Sequence, residues 1–298
     1  MRRISIGSWS FSLGPRAANP EPWTDLLSRL KQLGFDGIEV GGFSIHPRPE
    51  NQPTKEARER IRQEAAGIGM AFSSYIPDLW SERLIDTADP SAYIRAFRKG
   101  VEFAADIGAK AVCIDTLHPP AILDEIDYGT AKDRVVSTWK TCAQCAAEHG
   151  CYVAWEFEPV YVFNKPSEIV QIVDEIDEDN FGILFDSCHA EMIGRHGAGQ
   201  HGHKEILEGG CIEFARKLRG KINHIHIIDC DSVIHQDGEP NQRVFGEGTL
   251  DFDGIISELE HSGVPHNWWV IDPGLPENPW EVAKACIPFV HTLSHTWN

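Results

Sequence analysis

The chain has 298 residues, of which 42% are hydrophobic, and its nine Trp and fourteen Phe are enough to build a large buried core, which excludes a disordered chain. Its 45 acidic and 27 basic residues give a formal net charge of −18, which excludes broad contact with nucleic acid or an anionic membrane. No stretch approaches the roughly 18 apolar residues of a membrane span, and no leader-like segment is found, so we expect a cytoplasmic protein.

One unit recurs along the chain: an amphipathic helix, a Gly and a short apolar run. After a first strand predicted over 4–10, this unit appears at 28–40, 64–76, 102–115, 145–158, 215–229 and 258–272. The glycines that end these helices are Gly34, Gly69, Gly108, Gly150, Gly220 and Gly263. Each stands where a left-handed backbone conformation carries no Cβ penalty. A seventh unit, helix 168–176 and strand 181–187, lacks the Gly.

Eight predicted strands alternating with helices favour one architecture. Consecutive βα units place their strands parallel, and eight of them within 298 residues predict a closed (β/α)8 TIM barrel. An open doubly wound sheet is disfavoured, because the segment after the first strand lacks the Gly-rich phosphate loop of that fold. Since no linker or composition break interrupts the pattern, we predict a single domain over residues 1–298.

Acidic and His side chains stand at the ends of four consecutive predicted strands, where TIM barrels carry their active sites. They are Glu156 and Glu158 on strand five, Asp186 on strand six, His226 on strand seven and Asp272 on strand eight. Helix capping or packing would explain any one alone, but not four at matching depth. Oxygen and nitrogen ligands without a thiolate predict one divalent metal, Mn²⁺ or Mg²⁺ first, with Co²⁺ or Zn²⁺ as alternatives.

Several motifs resemble the sugar phosphate isomerase/epimerase superfamily of xylose-isomerase-like barrels. They are Gly-Phe-Asp-Gly-Ile-Glu-Val (34–40), Glu-Pro (158–159), Phe-Asp-Ser-Cys-His (185–189), His-Ile-His-Ile-Ile-Asp (224–229) and Phe-Gly-Glu-Gly (245–248). The resemblance spans essentially the whole chain. It implies a barrel with a divalent metal, a small sugar as substrate, and a tendency to form homo-oligomers.

The resemblance assigns the metal to a Glu, an Asp, a His and a second Glu from strands five to eight. In this chain those positions are Glu158, Asp186, His226 and Asp272. Glu158 is favoured over Glu156 because a Pro follows it, as in the family. Asp272 departs from the pattern, since it is one methylene shorter than Glu. Either the metal lies closer to strand eight, or Asp272 reaches it through water, or the residue has another role.

The resemblance also implies the chemistry, which is removal of a proton next to the carbonyl of a hydroxyketone or hydroxyaldehyde. A cation stabilises the enediolate, one carboxylate takes the proton and another group returns it. These roles fall on Glu158 and Asp272, while His189 binds a substrate hydroxyl or the enediolate oxygen. If Asp272 is too short, His189 or His46 supplies the second proton.

Side chains at the strand ends and in the loops that follow are expected to line the substrate pocket. The aromatic face of Trp9, after strand one, suits the C–H surface of a sugar. His46 and Arg243 lie in longer loops and are expected to reach hydroxyl groups. Glu39 and Glu156, at the ends of strands two and five, complete the expected substrate-binding set.

Three other functions compete with a sugar isomerase or epimerase. The stretches 155–167 and 268–280 are similar to the large subunits of C-glycoside deglycosidases, which implies a lyase that cleaves a 3-keto-C-glycoside with a small partner subunit. An apurinic endonuclease of the same fold is disfavoured by the net charge and by residues 240–245, which lack that family's Asp-x-His pair. A sugar-binding protein without catalytic activity is the third.

Overall fold

Eight parallel strands form a nearly closed barrel in a computed structural model that describes residues 2–234 and 242–296. In chain order the strands are β1 (Arg3–Ile6), β2 (Gly37–Gly41), β3 (Ala71–Ile76), β4 (Ala111–Ile114), β5 (Tyr152–Glu156), β6 (Phe181–Asp186), β7 (Ile222–Ile227), β8 (Asp229–Cys230), β9 (Gln242–Arg243) and β10 (Trp268–Ile271). The short strands β8 and β9 form a separate antiparallel pair, and the other eight build the barrel. The predicted TIM barrel is thus confirmed.

Helices connect the strands and cover the outside of the barrel. They are α1 (Trp23–Leu33), α2 (Lys55–Gly67), α3 (Ser91–Ile107), α4 (Tyr128–Glu148), α5 (Pro166–Ile176), α6 (Ser187–His196), α7 (Gly210–Lys217), α8 (Phe252–Glu260) and α9 (Pro279–Thr296). All six glycines predicted to end helices have positive φ. In the unit without a Gly, Asp177 ends α5 and itself takes the left-handed conformation, with φ 50° and ψ 55°.

The barrel closes through pairing of its first strand with both neighbours. Strand β1 pairs in parallel with β10 over four residues. On its other side, Gly7 just after β1 forms a single bridge with Glu39 of β2. Within the barrel, β6 and β7 align so that Asp186 pairs with His226. This register brings polar side chains from neighbouring strands to the same end of the barrel.

Side chains outside the barrel form the apolar layer between strands and helices. On this face Trp155 of β5 packs against Trp139 of α4, with ring centroids 5.1 Å apart. The indole Nε1 of Trp139 donates a hydrogen bond to the buried Tyr93 hydroxyl at 3.0 Å. The eight Cys are all buried and free. Among the described residues, no helix has the length and apolar character needed to cross a membrane.

The Gly-Glu-Gly turn after β9 is held by one buried carboxylate. Asp229 Oδ2 accepts hydrogen bonds from the backbone N–H groups of Gly246 and Gly248 at 3.0 and 3.1 Å. Asp229 Oδ1 accepts from the N–H groups of Cys230 and Leu250 at 2.9 and 3.1 Å. Four backbone donors on one carboxylate fix the chain between β9 and α8, which explains the motif as a structural feature.

Replacing Gly248 by Ala is expected to destabilise the protein by about 1–3 kcal/mol, the usual cost of overpacking a well-packed site. A Cβ at this position would lie 2.2 Å from Asp229 Oδ1 and 2.3 Å from the Cys230 carbonyl oxygen. Thermal or urea unfolding measures the effect. The control is Gly67→Ala at the end of α2, where an added Cβ meets nothing within 4 Å. An equal effect of both changes would refute the steric explanation.

Candidate metal centre

Four side chains at the C-terminal end of the barrel form a group that could hold a metal ion. Glu156 and Asp186 are the last residues of β5 and β6, His226 lies in β7, and Asp272 directly follows β10. One ligand atom from each lies within 4.8 Å of those of the other three. Asp186, His226 and Asp272 are buried, whereas Glu156 is partly exposed to a cavity above the group.

The carboxylate from strand five is Glu156 in this group, and not Glu158 as the sequence motif favoured. Glu156 Oε1 lies 3.3 Å from His226 Nδ1. Strand β5 ends at Glu156, so Glu158 lies two residues farther along, in the segment that leads away from the barrel. There it lines the same cavity. The structure thus brings both glutamates to the site, but at different depths.

The His226 ring is held between two sets of carboxylates. Its Nε2 lies 2.6 Å from Glu39 Oε2, and its Nδ1 faces Glu156 and lies 3.9 Å from Asp272 Oδ2. A carboxylate on the far nitrogen is the usual means of orienting a metal-binding His. Glu39 is fully buried beneath the group, so it supports His226 and does not line the cavity where substrate contact was expected.

The chemistry of these groups fits a divalent cation. Burial, together with Glu156, raises the pKa of Asp186 to about 7. Burial and the neighbouring Asp186 and Glu156 also raise the pKa of Asp272, against the opposing effect of His226. Asp186 Oδ2 and His226 Nδ1 are buried without a hydrogen-bond partner among the described residues. Buried carboxylates are costly without compensation, and a hard or borderline cation would supply it.

Asp272 is fixed by three donors despite its short side chain. Trp9 Nε1 and the backbone N–H of Gly274 donate to Oδ1 at 3.2 and 3.0 Å. Gln242 Nε2 donates to Oδ2 at 3.4 Å. The predicted pocket residue Trp9 therefore lines the cavity and also orients an acid of the group.

His189 enters the site because α6 begins directly at the end of β6. Asp186 Oδ1 accepts a hydrogen bond from the His189 backbone N–H at 2.8 Å and so caps the helix. The His189 Nε2 atom lies 3.9 Å from Glu156 Oε1. The ring thus faces the same cavity as the acidic group.

The cavity above the group has a volume of about 460 Å³ and opens to solvent. Its lining residues are Trp9, Leu13, Phe43, Ile76, Trp80, Asp115, Glu156, Glu158, Tyr161, His189, Gln242, Asp272, Gly274 and Leu275. The floor is acidic and the rim is apolar. Phe43 and Trp80 stack with ring centroids 4.6 Å apart, and Trp80 is 55% exposed. The cavity thus has carboxylates at its floor and aromatic side chains at its entrance.

Besides Glu39, two more of the expected substrate-binding residues do not line this cavity. His46 is fully buried, its Nε2 lies 3.1 Å from the Glu21 carbonyl oxygen, and its ring packs against Trp23. Arg243 points to the surface and pairs with Asp231 at 3.2 Å. Both lie in loops whose path the strand pattern does not fix. The stretch 240–245 was used to disfavour an endonuclease because it lacks the Asp-x-His pair of that family. Its residues 240 and 241 lie outside the described residues.

Tyr161, Gln242 and Leu275 are among the cavity residues that escaped sequence reasoning. All three come from loops that follow barrel strands, and none belongs to a periodic pattern. Of these, Gln242 alone could have been suspected from the sequence, because it is adjacent to Arg243, which was expected to bind a substrate hydroxyl. The alternation between adjacent residues of an extended segment explains why one of them faces the cavity and the other faces solvent.

Metal affinity is expected to fall as the pH is lowered through about 7. Because the pKa of Asp186 in the metal-free protein is raised to about 7, a proton competes with the metal below that pH. For each proton displaced, affinity then falls by up to roughly tenfold per pH unit. Titrations with Mn²⁺ or Zn²⁺ at pH 8, 7 and 6 measure this, and an unchanged affinity between pH 8 and 6 would contradict it.

Comparison with known proteins identifies the family. The family model described as Xylose isomerase-like TIM barrel matches residues 27–285. Inosose dehydratase 2 of Bacillus cereus (strain ZK / E33L) is 23% identical over 309 residues, covering 95% of this chain and 93% of that protein. The crystal structure of a D-tagatose 3-epimerase-like protein aligns with a TM-score of 0.75 and 18% identity, covering 100% and 98% of the two chains.

The IOLI protein, solved with a binding zinc atom, aligns with a TM-score of 0.73 and 17% identity. That alignment covers 100% of this chain and 99% of that one. The match to the family model extends over most of the barrel, from α1 to α9. The chain therefore belongs to the Xylose isomerase-like TIM barrel family, as its motifs predicted.

Proposed function

We propose that this protein is a divalent-metal-dependent enzyme that removes a proton next to the carbonyl of a sugar or keto-sugar. The observation that carries the proposal is the group of Glu156, Asp186, His226 and Asp272 at the base of an open cavity. Relatives named inosose dehydratase and structural neighbours named as sugar epimerases support an enzyme that acts on sugars. The zinc atom of the IOLI protein supports a metal in this family.

Three carboxylates and one imidazole favour Mn²⁺ or Mg²⁺, with Co²⁺ and Zn²⁺ as alternatives. A divalent cation supplies charge stabilisation for the carbonyl oxygen that becomes negative when the neighbouring C–H proton is removed. Glu156, Asp186 and His226 would serve as ligands only. Asp272 would both complete the ligand set and stand at the edge of the cavity, where it can exchange a proton with a substrate carbon.

Two further carboxyl groups in the cavity provide the remaining proton transfers. Glu158 lies on the β5 side, separated from Asp272 by β6 and β7 in the barrel. Acids on different sides of a bound sugar suit removal of a proton on one face and return on the other. Burial raises the pKa of Asp115 to about 7, so this group can donate a proton near neutral pH. His189 binds a substrate hydroxyl beside Glu156.

The fate of the substrate after proton removal defines the reaction class. Return of the proton to the opposite face gives an epimer, and return to the neighbouring carbon gives an isomer. Loss of a hydroxyl from the neighbouring carbon releases water, as the name inosose dehydratase implies for the relatives. All three outcomes need the same first step, so an assay of that step tests the proposal before the substrate is known.

The test is incorporation of deuterium from D₂O into inosose and a set of ketoses, D-fructose included, by Mn²⁺-loaded protein. We expect mass spectrometry to detect one exchanged carbon-bound hydrogen in at least one compound. The control is metal-free protein in the same solvent. If the loaded protein binds metal and sugar but exchanges no hydrogen in any compound, a non-catalytic binding role replaces this proposal.

The aromatic rim favours a second candidate, a lyase that cleaves a 3-keto-C-glycoside. Trp80, stacked on Phe43 and half exposed, offers a flat apolar surface at the entrance, next to Leu275. A sugar bound at the acidic floor would place an aromatic substituent against this surface. Release of a phenolic aglycone from such a compound, and co-purification of a small second subunit, would select the lyase. Unchanged compound after incubation with metal-loaded protein would reject it.

A further inference from the structure

A line of three imidazoles and one carboxylate runs through the barrel interior beneath the metal centre. His266 Nε2 and His224 Nδ1 are 2.9 Å apart. His224 Nε2 lies 3.4 Å from Glu39 Oε1, and Glu39 Oε2 lies 2.6 Å from His226 Nε2. His224, Glu39 and His226 are fully buried. His266 is half-buried and precedes β10, so it lies at the N-terminal end of the barrel, opposite the cavity.

A backbone group sets the direction of this line. The N–H of Trp268 donates to His266 Nδ1 at 3.1 Å, so this ring nitrogen is an acceptor. Burial and the neighbouring His224 lower the pKa of His266 to about 3, against the opposing effect of a hydrogen bond with the Asn223 backbone, so the ring is neutral. Because Nδ1 accepts, the proton is on Nε2. A neutral imidazole has one donor and one acceptor nitrogen. His266 Nε2 therefore donates to His224 Nδ1.

The same rule orients His224 toward Glu39, the carboxylate that holds the metal ligand His226. Because His224 accepts at Nδ1, its proton is on Nε2, on the side of Glu39 Oε1. Glu39 accepts at its other oxygen from the Nε2–H of His226. That leaves Nδ1 of His226 as the nitrogen that faces Glu156 and Asp272 and is offered to a metal. With the opposite tautomer, a proton on Nδ1 would point into the ligand group and block coordination.

We propose that His266 and His224 are positioning residues that fix Glu39 and His226 in the arrangement that presents Nδ1 to the metal. The inference rests on the metal site of the proposed function. It extends that site by two residues that touch neither metal nor substrate, and that hold in place the carboxylate which sets the tautomer of His226. Ser74 supports the same carboxylate by donating its hydroxyl to Glu39 Oε1.

The first measurement reads the tautomers directly. Long-range ¹H–¹⁵N spectra of the imidazoles in metal-free protein are expected to show His266 and His224 with the proton on Nε2. This readout needs neither metal nor substrate, so it stands even if the proposed function fails. A His224 ring that carries its proton on Nδ1 would overturn the inference. A proton on Nδ1 of His266 would do the same.

The second measurement compares variants of His266. His266→Leu removes the donor to His224, and we expect metal affinity to fall by about tenfold, the lower end for outer-shell partners. His266→Gln keeps one donor and one acceptor and should retain affinity within about threefold of the unchanged protein, an order-of-magnitude expectation from the same rule. His291→Leu is the control, since that side chain lies on α9 and hydrogen-bonds to the Gly34 carbonyl oxygen at the end of α1. Circular dichroism checks folding of each variant.

If His266→Leu binds metal as tightly as the unchanged protein and leaves the His224 spectra unchanged, the positioning role is refuted.

A second bound metal would also refute it. Glu39, Cys113 and His224 also offer ligand atoms within 4.8 Å of one another, and a metal there would displace the proton that the inference assigns to His224 Nε2. Two metal equivalents per chain in the unchanged protein, falling to one in Cys113→Ser, would therefore replace the line of imidazoles and carboxylate with an inner metal site.

Discussion

Replacing Glu156 by Gln is expected to lower metal affinity by roughly 100-fold or more. Loss of an outer-shell partner costs about 10- to 100-fold, and loss of a direct ligand should cost at least the upper value. The amide keeps the size of the side chain but removes its charge from a group that already holds Asp186 and Asp272. Calorimetric titration with Mn²⁺ measures the loss. The matched control is Glu158→Gln, which makes the same chemical change two residues farther on and is expected to leave metal affinity within about threefold.

A second effect of Glu156→Gln separates loss of a ligand from damage to the fold. Glu156 contributes to the raised pKa of Asp186, so its replacement should bring that pKa down toward the usual range. Thermal unfolding of the metal-free variant should then show little change in stability, because the repulsion from Asp186 and Asp272 and the attraction to His226 are lost together. If Glu158→Gln abolished metal binding and Glu156→Gln did not, the ligand assignment read from the structure would be wrong.

The choice between these two glutamates illustrates what a sequence can and cannot predict. Alternation along a strand correctly placed Glu156 and Glu158 on one face. It could not say how deep each lies, because depth depends on the register between strands. In the structure Glu156 pairs with Leu184, two residues before Asp186. That register by itself would set Glu158 level with Asp186, but β5 ends at Glu156, and the Glu156 side chain is the one that belongs to the ligand group.

The fold itself was predictable because its signals are local. A helix stop, a short apolar run and a new helix are read within some tens of residues, and repetition of the unit determines the barrel. Even the unit without a Gly obeys the rule, because Asp177 adopts the left-handed conformation there. Asp is among the residues that tolerate it.

Residues outside the strands were predictable only where a short connection leaves no freedom. His189 follows β6 within one helical turn, and its position was predicted. His46 lies in a longer segment after β2 and packs against Trp23, away from the cavity. His266 gave no signal, since it lies in the turn before β10 and acts through contacts with residues far away in the sequence. Such contacts come from the three-dimensional packing and leave no periodic pattern.

Replacing Asp272 by Asn is expected to lower the rate of hydrogen exchange by about 10²–10⁴-fold at saturating metal, the usual contribution of a general acid or base. The amide oxygen can still accept from Trp9 Nε1 and the Gly274 N–H, so the side chain should stay in place. What is lost is the capacity to take up a proton. The rate of deuterium incorporation into the best ketose measures the effect.

Asp272→Glu distinguishes a proton-transfer role from metal binding alone. The variant restores the Glu found in the family pattern but adds a methylene in a space bounded by Trp9 and Gly274. If Asp272 acts mainly as a ligand, the longer acid should keep metal affinity and most of the exchange rate. If its reach to the substrate carbon matters, affinity should persist while the rate falls about 10- to 100-fold, since misplacement by about 1 Å costs that order in rate. We expect the second result, because Asp272 is held by donors suited to the shorter side chain. An unchanged rate in both Asp272→Asn and Asp272→Glu would move the proton transfer to Glu158.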